Sequence, residues 1–225
     1  MGELRTPTQA DNGAAPPAER EVGTVRLHWS HDLRNPLSVL DGWLELAEET
    51  GDPEQFQRCY DAIDRMNELI DDLLTLARAG RDIDELEPVE LEDAVEAAWQ
   101  GVATDEATLT VETEFTLSAD KTRLRQLLGN LIRNAVEHAG PDVTVTVGDT
   151  PGGFYVADNG PGVPAEDRER IFESGYTTAE EGTGFGLAIV EEIAEAHGWS
   201  IAVAESESGG ARFEFTGITR VSPRA

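Results

Sequence analysis

The chain has 225 residues, of which 17 are basic and 45 are acidic, and its formal net charge is −28 at pH 7. A charge of this sign opposes binding to nucleic acid or to an anionic membrane through charge attraction. The single cysteine, Cys59, excludes an internal disulfide and fits a reducing cytoplasm. No apolar run is long enough to predict a membrane span, so we expect any sensor or membrane segment to lie outside this chain.

The acidic residues are distributed over nearly every segment, and Lys121 is the only lysine. Dispersed acids, with arginine in place of lysine, are typical of a surface that stays solvated in concentrated salt, where screening weakens self-repulsion. We therefore expect the chain to come from a salt-loving organism. The alternative is an ordinary acidic protein that has few lysines.

The first part of the chain predicts two helices. Residues 1–22 are rich in proline, alanine and charge without apolar periodicity, and they predict a disordered leader. Apolar residues then recur at helical spacing over 24–50 and 54–79, on either side of a Gly-Asp-Pro turn. Two helices alone cannot bury both apolar stripes, so we expect residues 23–80 to pair with a second copy as a dimeric four-helix bundle.

The rest of the chain alternates helical and strand patterns after a predicted linker, 81–88. This alternation and the length predict one α/β sandwich domain, 89–219, followed by a short tail, 220–225. The predicted helices cover 91–99, 121–138 and 187–197, and the predicted strands cover 109–112, 115–117, 143–147, 154–158, 201–204 and 212–215.

A polar cluster stands near the start of the first helix, in SHDLRNPL, residues 30–37. His31 and Asn35 are four apart and would share a helix face, with Asp32 on a neighbouring one. Pro36 cannot donate to the carbonyl of Asp32, so the helix should bend after the histidine. A neutral imidazole is a competent nucleophile near pH 7, and a nearby carboxylate can accept its proton. The alternative is a surface histidine beside an acid.

The segment LLGNLIRNAVEHA, residues 127–139, places Asn130 and Asn134 on one face of an otherwise apolar helix. Asparagine is a poor helix former, so two on one face suggest a polar task. An amide oxygen is a suitable ligand for Mg²⁺, which also takes phosphate oxygens and water. Two solvent-facing asparagines are the alternative.

In FYVADNGPGVP, residues 154–164, a predicted strand ends at Asp158 and a turn follows with Gly160 and Gly162. The glycines permit positive φ and close approach of a flat ligand to the backbone. The carboxylate can accept a hydrogen bond from an exocyclic amine such as that of adenine. A plain turn is the alternative.

In EEGTGFGLAIVEEIA, residues 180–194, Gly182, Gly184 and Gly186 lead into a helix that begins near Leu187. Glycine-rich backbone at a helix N-terminus is typical of an anion site, because its amides and the helix dipole point at phosphate. The spacing matches neither the dinucleotide fingerprint nor the Walker loop.

In this order, the histidine box, the two-asparagine helix, the Asp-Gly turn, a Phe-containing lid and the glycine box resemble the sensor histidine kinases of two-component systems. The resemblance covers residues 24–217. It implies a dimerisation and phosphoacceptor module, followed by an ATP-binding module of the gyrase, MutL and histidine kinase superfamily. It also implies autophosphorylation with ATP and Mg²⁺, and then transfer to an aspartate in the receiver domain of a response regulator.

The resemblance also implies a role for each motif residue. It makes His31 the phosphoacceptor and Asp32 its base, and it links Asn35 to hydrolysis of the phosphorylated regulator. It makes Asn130 the Mg²⁺ ligand and places Asn134 beside the phosphates. The other implied roles are Asp158 for adenine, Gly160 and Gly162 for the shape of that pocket, Phe172 for docking of a lid over about 163–184, and Gly182, Gly184 and Gly186, just before Leu187, for the phosphates.

One position departs from the family pattern. Three residues after the second asparagine, where many members carry a lysine or arginine that meets phosphate, this chain has Glu137. A carboxylate there would repel phosphate. Either another residue supplies the positive charge, with Arg133 as a candidate, or Glu137 faces away.

Other functions fit parts of the pattern. One is a phosphatase-biased module that acts on the phosphorylated regulator. An ATPase or a protein kinase of the same ATP-binding superfamily is another, but neither needs the SHDLRNPL helix. A scaffold that binds nucleotide without transfer would have no reason to retain every motif residue. Autophosphorylation at His31 is therefore the leading hypothesis.

Overall fold

A computed structural model describes residues 34–77, 83, 85–102, 106–178 and 183–221. By their contacts the residues form two compact units, 1–68 and 69–225. His31, Asp32, Gly182 and the predicted leader lie outside the described residues. The backbone of Asn35 is described as helical, but its side chain is not.

The first unit contains a helical hairpin, as predicted, and the second helix of the hairpin continues past residue 68 to Ala77. Helix α1 (Arg34–Thr50) ends at Gly51, whose φ of 65° is favourable only for glycine. Helix α2 (Pro53–Ala77) begins after Asp52, whose carboxylate accepts a hydrogen bond from the backbone N–H of Glu54 at 3.0 Å and caps the helix. Across the hairpin the guanidinium of Arg58 lies 4.3 Å from the ring centre of Trp43. The turn residues therefore fold the chain back on itself.

The second unit is an α/β sandwich, which confirms the predicted fold class. A five-stranded sheet has the order β2-β4-β5-β7-β6, in which β2 and β4 are parallel and the other neighbours antiparallel. A smaller antiparallel sheet has the order β1-β3-β8. The strands are β1 (Glu87–Glu90), β2 (Thr108–Glu112), β3 (Thr116–Ala119), β4 (Thr144–Thr150), β5 (Gly153–Asp158), β6 (Ser200–Glu205), β7 (Ala211–Thr216) and β8 (Arg220–Val221).

Among the described residues of the sandwich, three helices pack their apolar faces with the large sheet to form the core. Alternate residues of β7 are buried, whereas most residues of β5 are buried. The rings of Phe154 and Phe215 stack with their centres 4.7 Å apart. Trp199 meets Phe154 edge to face at 6.3 Å. The helices are α3 (Leu91–Trp99), α4 (Lys121–Ala139) and α5 (Gly186–Ala196), and a 3₁₀ turn covers Arg170–Phe172.

Two strands lie in segments for which the sequence predicts none. Strand β1 begins inside the predicted linker, and β8 begins at the predicted tail. Each pairs with β3, a strand predicted at 115–117 and found at Thr116–Ala119. Both unpredicted strands are short edge strands, and β1 contains Pro88, which is tolerated at an edge because it has no N–H to donate.

Candidate functional site

The two asparagines of α4 lie against the start of α5. Asn130 is 5% exposed, and its Nδ2 donates a hydrogen bond to the backbone oxygen of Gly186 at 3.4 Å. A Cβ placed on Gly186 would lie 3.7 Å from Oδ1 of Asn134. The alternative of two solvent-facing asparagines is therefore wrong for Asn130. The asparagine helix and the glycine box meet, although 56 residues separate Asn130 from Gly186.

Asn134 carries a polar group without a partner. Its Nδ2 is buried and makes no hydrogen bond within the part of the chain that the structure describes. Buried amide donors are normally satisfied, so an orphan at this position favours a bound acceptor. A phosphate oxygen would satisfy it.

Within the described part of the chain, the first backbone amides of α5 have no hydrogen-bond partner. The helix begins at Gly186, and its N-cap residue, Phe185, makes no side-chain capping bond. The first amides of a helix have no partner within it, and the helix dipole adds positive potential there. Leu187, in this first turn, is half-buried. The segment has the chemistry of an anion site next to the amide of Asn134.

Gly184 lies just before α5 and contacts the backbone of Gly175. Its φ is 72°, and its carbonyl accepts a hydrogen bond from the backbone N–H of Gly175 at 2.9 Å. A Cβ on Gly184 would lie 2.5 Å from the carbonyl carbon of Gly175. Both the conformation and the close contact require glycine, so the two ends of residues 175–184 can meet.

Asp158 ends β5 with its carboxylate held by the backbone. Its Oδ1 accepts hydrogen bonds from the N–H groups of Gly160 at 2.8 Å and Ala211 at 3.1 Å. Because side chains alternate along a strand, it points to the same side of the sheet as Phe154 and Val156, which are buried in the core. Its Oδ2 makes no hydrogen bond to any described residue and is available to a ligand.

The Asp-Gly turn meets the C-terminal end of α4. A Cβ on Gly160 would overlap the side chain of Ala139, and a Cβ on Gly162, whose φ is 72°, would lie 3.0 Å from the carbonyl oxygen of Gly209. Only glycine fits at either position. From Asn130 to Ala139 the helix rises about 13 Å, so α4 separates a carboxylate corner from an anion corner by roughly the length of a nucleotide.

The predicted lid contains the 3₁₀ turn, in which the two apolar residues differ in burial. Ile171 is 6% exposed, whereas Phe172 is half-buried. The turn is supported by Arg168, whose Nε donates to the carbonyl of Val163 at 3.2 Å. The sequence singles out Phe172 by its family position, but neighbouring apolar residues in a turn cannot be ranked for burial without the surface they face.

Arg133 places a positive charge at the asparagines. Its Nη1 donates a hydrogen bond to Oδ1 of Asn130 at 3.3 Å. Arg133 is half-buried, whereas Glu137, one turn later, is exposed. A guanidinium is therefore adjacent to the anion corner, on the same helix as the unexpected carboxylate.

Sequence reasoning missed Ser206 and Gly210, which lie next to the backbone carbonyl of Asp158. The Ser206 hydroxyl donates to the backbone oxygen of Asp158 at 2.7 Å and accepts from the N–H of Gly210 at 2.9 Å. The only local signal is the glycine pair in ESGGARF, which reads as an ordinary hairpin turn. Their partner is 48 residues away from Ser206, so no local pattern identifies it.

Family models match both parts of the chain. Residues 27–82 match "His Kinase A (phospho-acceptor) domain", and residues 119–218 match "Histidine kinase-, DNA gyrase B-, and HSP90-like ATPase". The second match contains α4, the Asp-Gly turn and α5, which are the elements of the site. In the described part of the chain, no helix combines the length and apolarity needed to cross a bilayer.

Known proteins are similar over most of the chain. Sensor histidine kinase ZraS of Escherichia coli O157:H7 is 35% identical over 90% of this chain and 48% of its own length. Full-length ShkA, solved in complex with AMPPNP, is 31% identical with a TM-score of 0.59, covering 91% of this chain and 47% of that one. Acinetobacter baumannii histidine kinase AdeS, at 22% identity, shows the same fold with a TM-score of 0.65 over 85% of this chain and 97% of that one. The chain spans about half the length of the curated relatives it matches.

Proposed function

We propose that this chain, which belongs to the histidine kinase family by the two domains it carries, phosphorylates its own His31 with ATP and passes the phosphoryl group to an aspartate of a response regulator. The observation that carries the proposal is the meeting of Asn130, the orphan amide of Asn134 and the start of α5 in one corner, with Asp158 at the other end of α4. Two corners at this separation fit the phosphates and the base of ATP.

At the carboxylate corner, the free Oδ2 of Asp158 would accept a hydrogen bond from the exocyclic amine of adenine. Gly160 and Gly162 would let the flat ring approach the backbone. Oδ1 is already used by two backbone amides, so the carboxylate has a fixed orientation before the ligand arrives. This is pre-organisation, which reduces the entropy lost on binding.

At the anion corner, Asn134 Nδ2 and the first amides of α5 would donate to phosphate oxygens. Gly182, Gly184 and Gly186 would let the phosphates approach the backbone there. Arg133 would supply the positive charge that the family usually has at the position of Glu137. Leu187 and Phe172 would pack around the nucleotide and its lid.

Mg²⁺ would bind at this corner through Oδ1 of Asn130, which has a second lone pair besides the one that accepts from Arg133. The described residues hold no cluster of three or more His, Cys, Asp or Glu that would bind a metal by itself. One amide oxygen with phosphate oxygens and water is a coordination set that Mg²⁺ accepts, whereas Zn²⁺ prefers nitrogen and sulfur. When bound, the ion neutralises charge on the phosphates.

In the reaction, a nitrogen of the His31 imidazole would form a bond to the γ-phosphorus of ATP, and the bond to the bridging oxygen of ADP would break. Asp32 would accept the imidazole proton. A receiver aspartate would then take the phosphoryl group from His31. The protein's contribution is positioning and charge stabilisation, which dominate phosphoryl transfer.

A homodimer would complete the hairpin as a four-helix bundle. Apolar side chains of α1 and α2 remain exposed, including Leu44 at 43%, Phe56 at 41% and Ile63 at 38%. A second copy of the same hairpin would cover them. We further propose that the acidic surface is an adaptation to concentrated salt, and that the sensor segment of the natural protein lies outside this chain.

A label-transfer experiment tests the kinase proposal. The purified chain in molar KCl with Mg²⁺ and γ-labelled ATP should acquire acid-labile label, and His31→Gln should acquire none. ATP binding should be retained in His31→Gln, because the binding corners belong to the other domain. Label that survives in His31→Gln would refute His31 as the phosphoacceptor. A wild-type chain that binds ATP without acquiring label would refute autophosphorylation by this chain.

A further inference from the structure

Asp158 is held on two sides, by the loop between β6 and β7 and by the first residue of β7. Ser206 contacts its backbone oxygen, and the N–H of Ala211 contacts its Oδ1. Both contacts span about fifty residues of sequence. Two hydrogen bonds between Ser206 and Gly210 close the loop. The N–H of Ser206 donates to the carbonyl oxygen of Gly210 at 2.8 Å, and the N–H of Gly210 donates to the Ser206 hydroxyl at 2.9 Å. The loop and the carboxylate therefore form one hydrogen-bonded unit.

The Ser206 hydroxyl has only one arrangement that satisfies both neighbours. It has a single hydrogen, which must be donated to the Asp158 carbonyl, because the Gly210 N–H is itself a donor. Ser206 is 9% exposed, so replacing the hydroxyl with a methyl group leaves two backbone groups without their partner in a nearly dry place. Such a loss would move the end of β5 and the loop apart.

Gly210 is required by space alone. Its φ is not in the left-handed region, but a Cβ there would overlap both the carbonyl oxygen and Oδ1 of Asp158. Any larger residue must push the carboxylate away from its position. Ser206 thus holds the backbone of Asp158 by a hydrogen bond, and Gly210 limits the position of its carboxylate by close packing.

We propose that Ser206 and Gly210 are positioning residues that fix the Asp158 carboxylate and so set the preference of the site for adenine over 6-oxo purines. The inference rests on the proposed binding of ATP. The free Oδ2 accepts from the amine on carbon 6 of adenine, whereas hypoxanthine presents a carbonyl oxygen there, which a carboxylate repels. Discrimination depends on the carboxylate being held at that atom.

The test compares the affinities of ATP and ITP by calorimetry in Mg²⁺ and molar KCl. The wild-type chain should prefer ATP. Ser206→Ala and Gly210→Ala should each weaken ATP binding about tenfold while changing ITP binding less than about twofold. Ser206→Thr, which keeps the hydroxyl, should retain the wild-type ratio. Ser208→Ala is the matched control, because Ser208 is an exposed serine of the same loop.

The ratio of the two affinities separates positioning from folding, since a general loss of structure weakens both nucleotides equally. An ATP-to-ITP affinity ratio that stays unchanged in both Ser206→Ala and Gly210→Ala, with or without a general loss of binding, would overturn the proposal. Failure of this proposal leaves the label on His31 intact. A chain that discriminates as expected but acquires no label would instead contradict the kinase proposal.

Discussion

The ring of His197, just after α5, accepts a hydrogen bond through Nε2 from the backbone N–H of Asp120, just before α4, at 3.0 Å. Its Nδ1 donates to the carbonyl of Ile193 at 2.7 Å, so the neutral tautomer satisfies both nitrogens. Asp120 in turn caps α4 by accepting from the N–H groups of Thr122 and Arg123. The end of α5 is therefore joined to the start of α4.

The hydrogen bonds of the His197 ring should make the free energy of unfolding depend on pH. Burial lowers the pKa of His197 below its ordinary value of 6.5, because the charged imidazole loses solvation and a protonated Nε2 cannot accept from Asp120. The unfolded chain then binds the proton more readily than the folded one. The stabilisation is fully present above pH 6.5 and falls as the pH drops towards the lowered folded pKa.

Urea unfolding between pH 7.5 and 5 measures this dependence. His197→Gln, whose amide oxygen can still accept from Asp120 without titrating, should show a shallower loss of unfolding free energy. The variant is a necessary reference because burial also raises the pKa of Glu191 and Glu192 on α5. Equal slopes for both proteins would contradict the assignment.

Arg133→Gln should weaken ATP binding about tenfold and leave adenosine binding unchanged, since the guanidinium at 3.3 Å from Asn130 Oδ1 would no longer offset phosphate charge. Calorimetry with the two ligands measures both effects. Arg125→Gln is the control, because it removes the same charge from an exposed position of α4. A loss that is equal for adenosine and ATP would show that Arg133 supports the fold and not the phosphates.

Gly148→Val should lower the unfolding free energy by about 1–3 kcal/mol through overpacking. A Cβ on Gly148 would lie 2.6 Å from the hydroxyl oxygen of Tyr155, whose ring is packed with the guanidinium of Arg212, 3.6 Å from the ring centre. In a Tyr155→Ala background the same change should cost little, because the obstructing ring is gone. A denaturant double-mutant cycle checks this, with Thr146→Val on the same strand face as control.

The chain should be a dimer, and Leu44→Glu should make it monomeric, because a charge would replace an exposed apolar residue that we propose the second hairpin covers. Light scattering at micromolar protein in high salt gives the mass. Glu45→Gln, at the next and also exposed position, should remain dimeric. A monomeric wild-type mass would exclude the proposed bundle under these conditions.

Thermal stability should rise with KCl, because 45 acidic residues against 17 basic ones repel one another in the folded state. Between 0.2 and 2 M KCl we expect the melting temperature to increase by at least about 5 °C, the shift that roughly 2 kcal/mol produces in a chain of this size. Sucrose at matched osmolality is the control for effects other than screening. A flat response to KCl would exclude salt adaptation.

The sequence by itself determined the helices, the central strands and the motif order. Helical stripes of period 3.6, the Gly51-Asp52 turn and the short apolar run of β5 are local signals, because they arise from residues a few positions apart. For the same reason, the sequence predicts Asn130, Asn134 and Asp158 as candidate site residues. Residue type and spacing alone indicate the chemistry of these three side chains.

Only the tertiary structure decided which segments meet. Strand β1 carries no alternating pattern and pairs because β3 offers it an edge, and β8 pairs through two residues alone. Ser206 and Gly210 act on Asp158 across about fifty residues of sequence, and Asp120 meets His197 across 77. Contacts of this kind depend on packing of whole elements, because loop closure brings together groups whose local sequences carry no mutual signal.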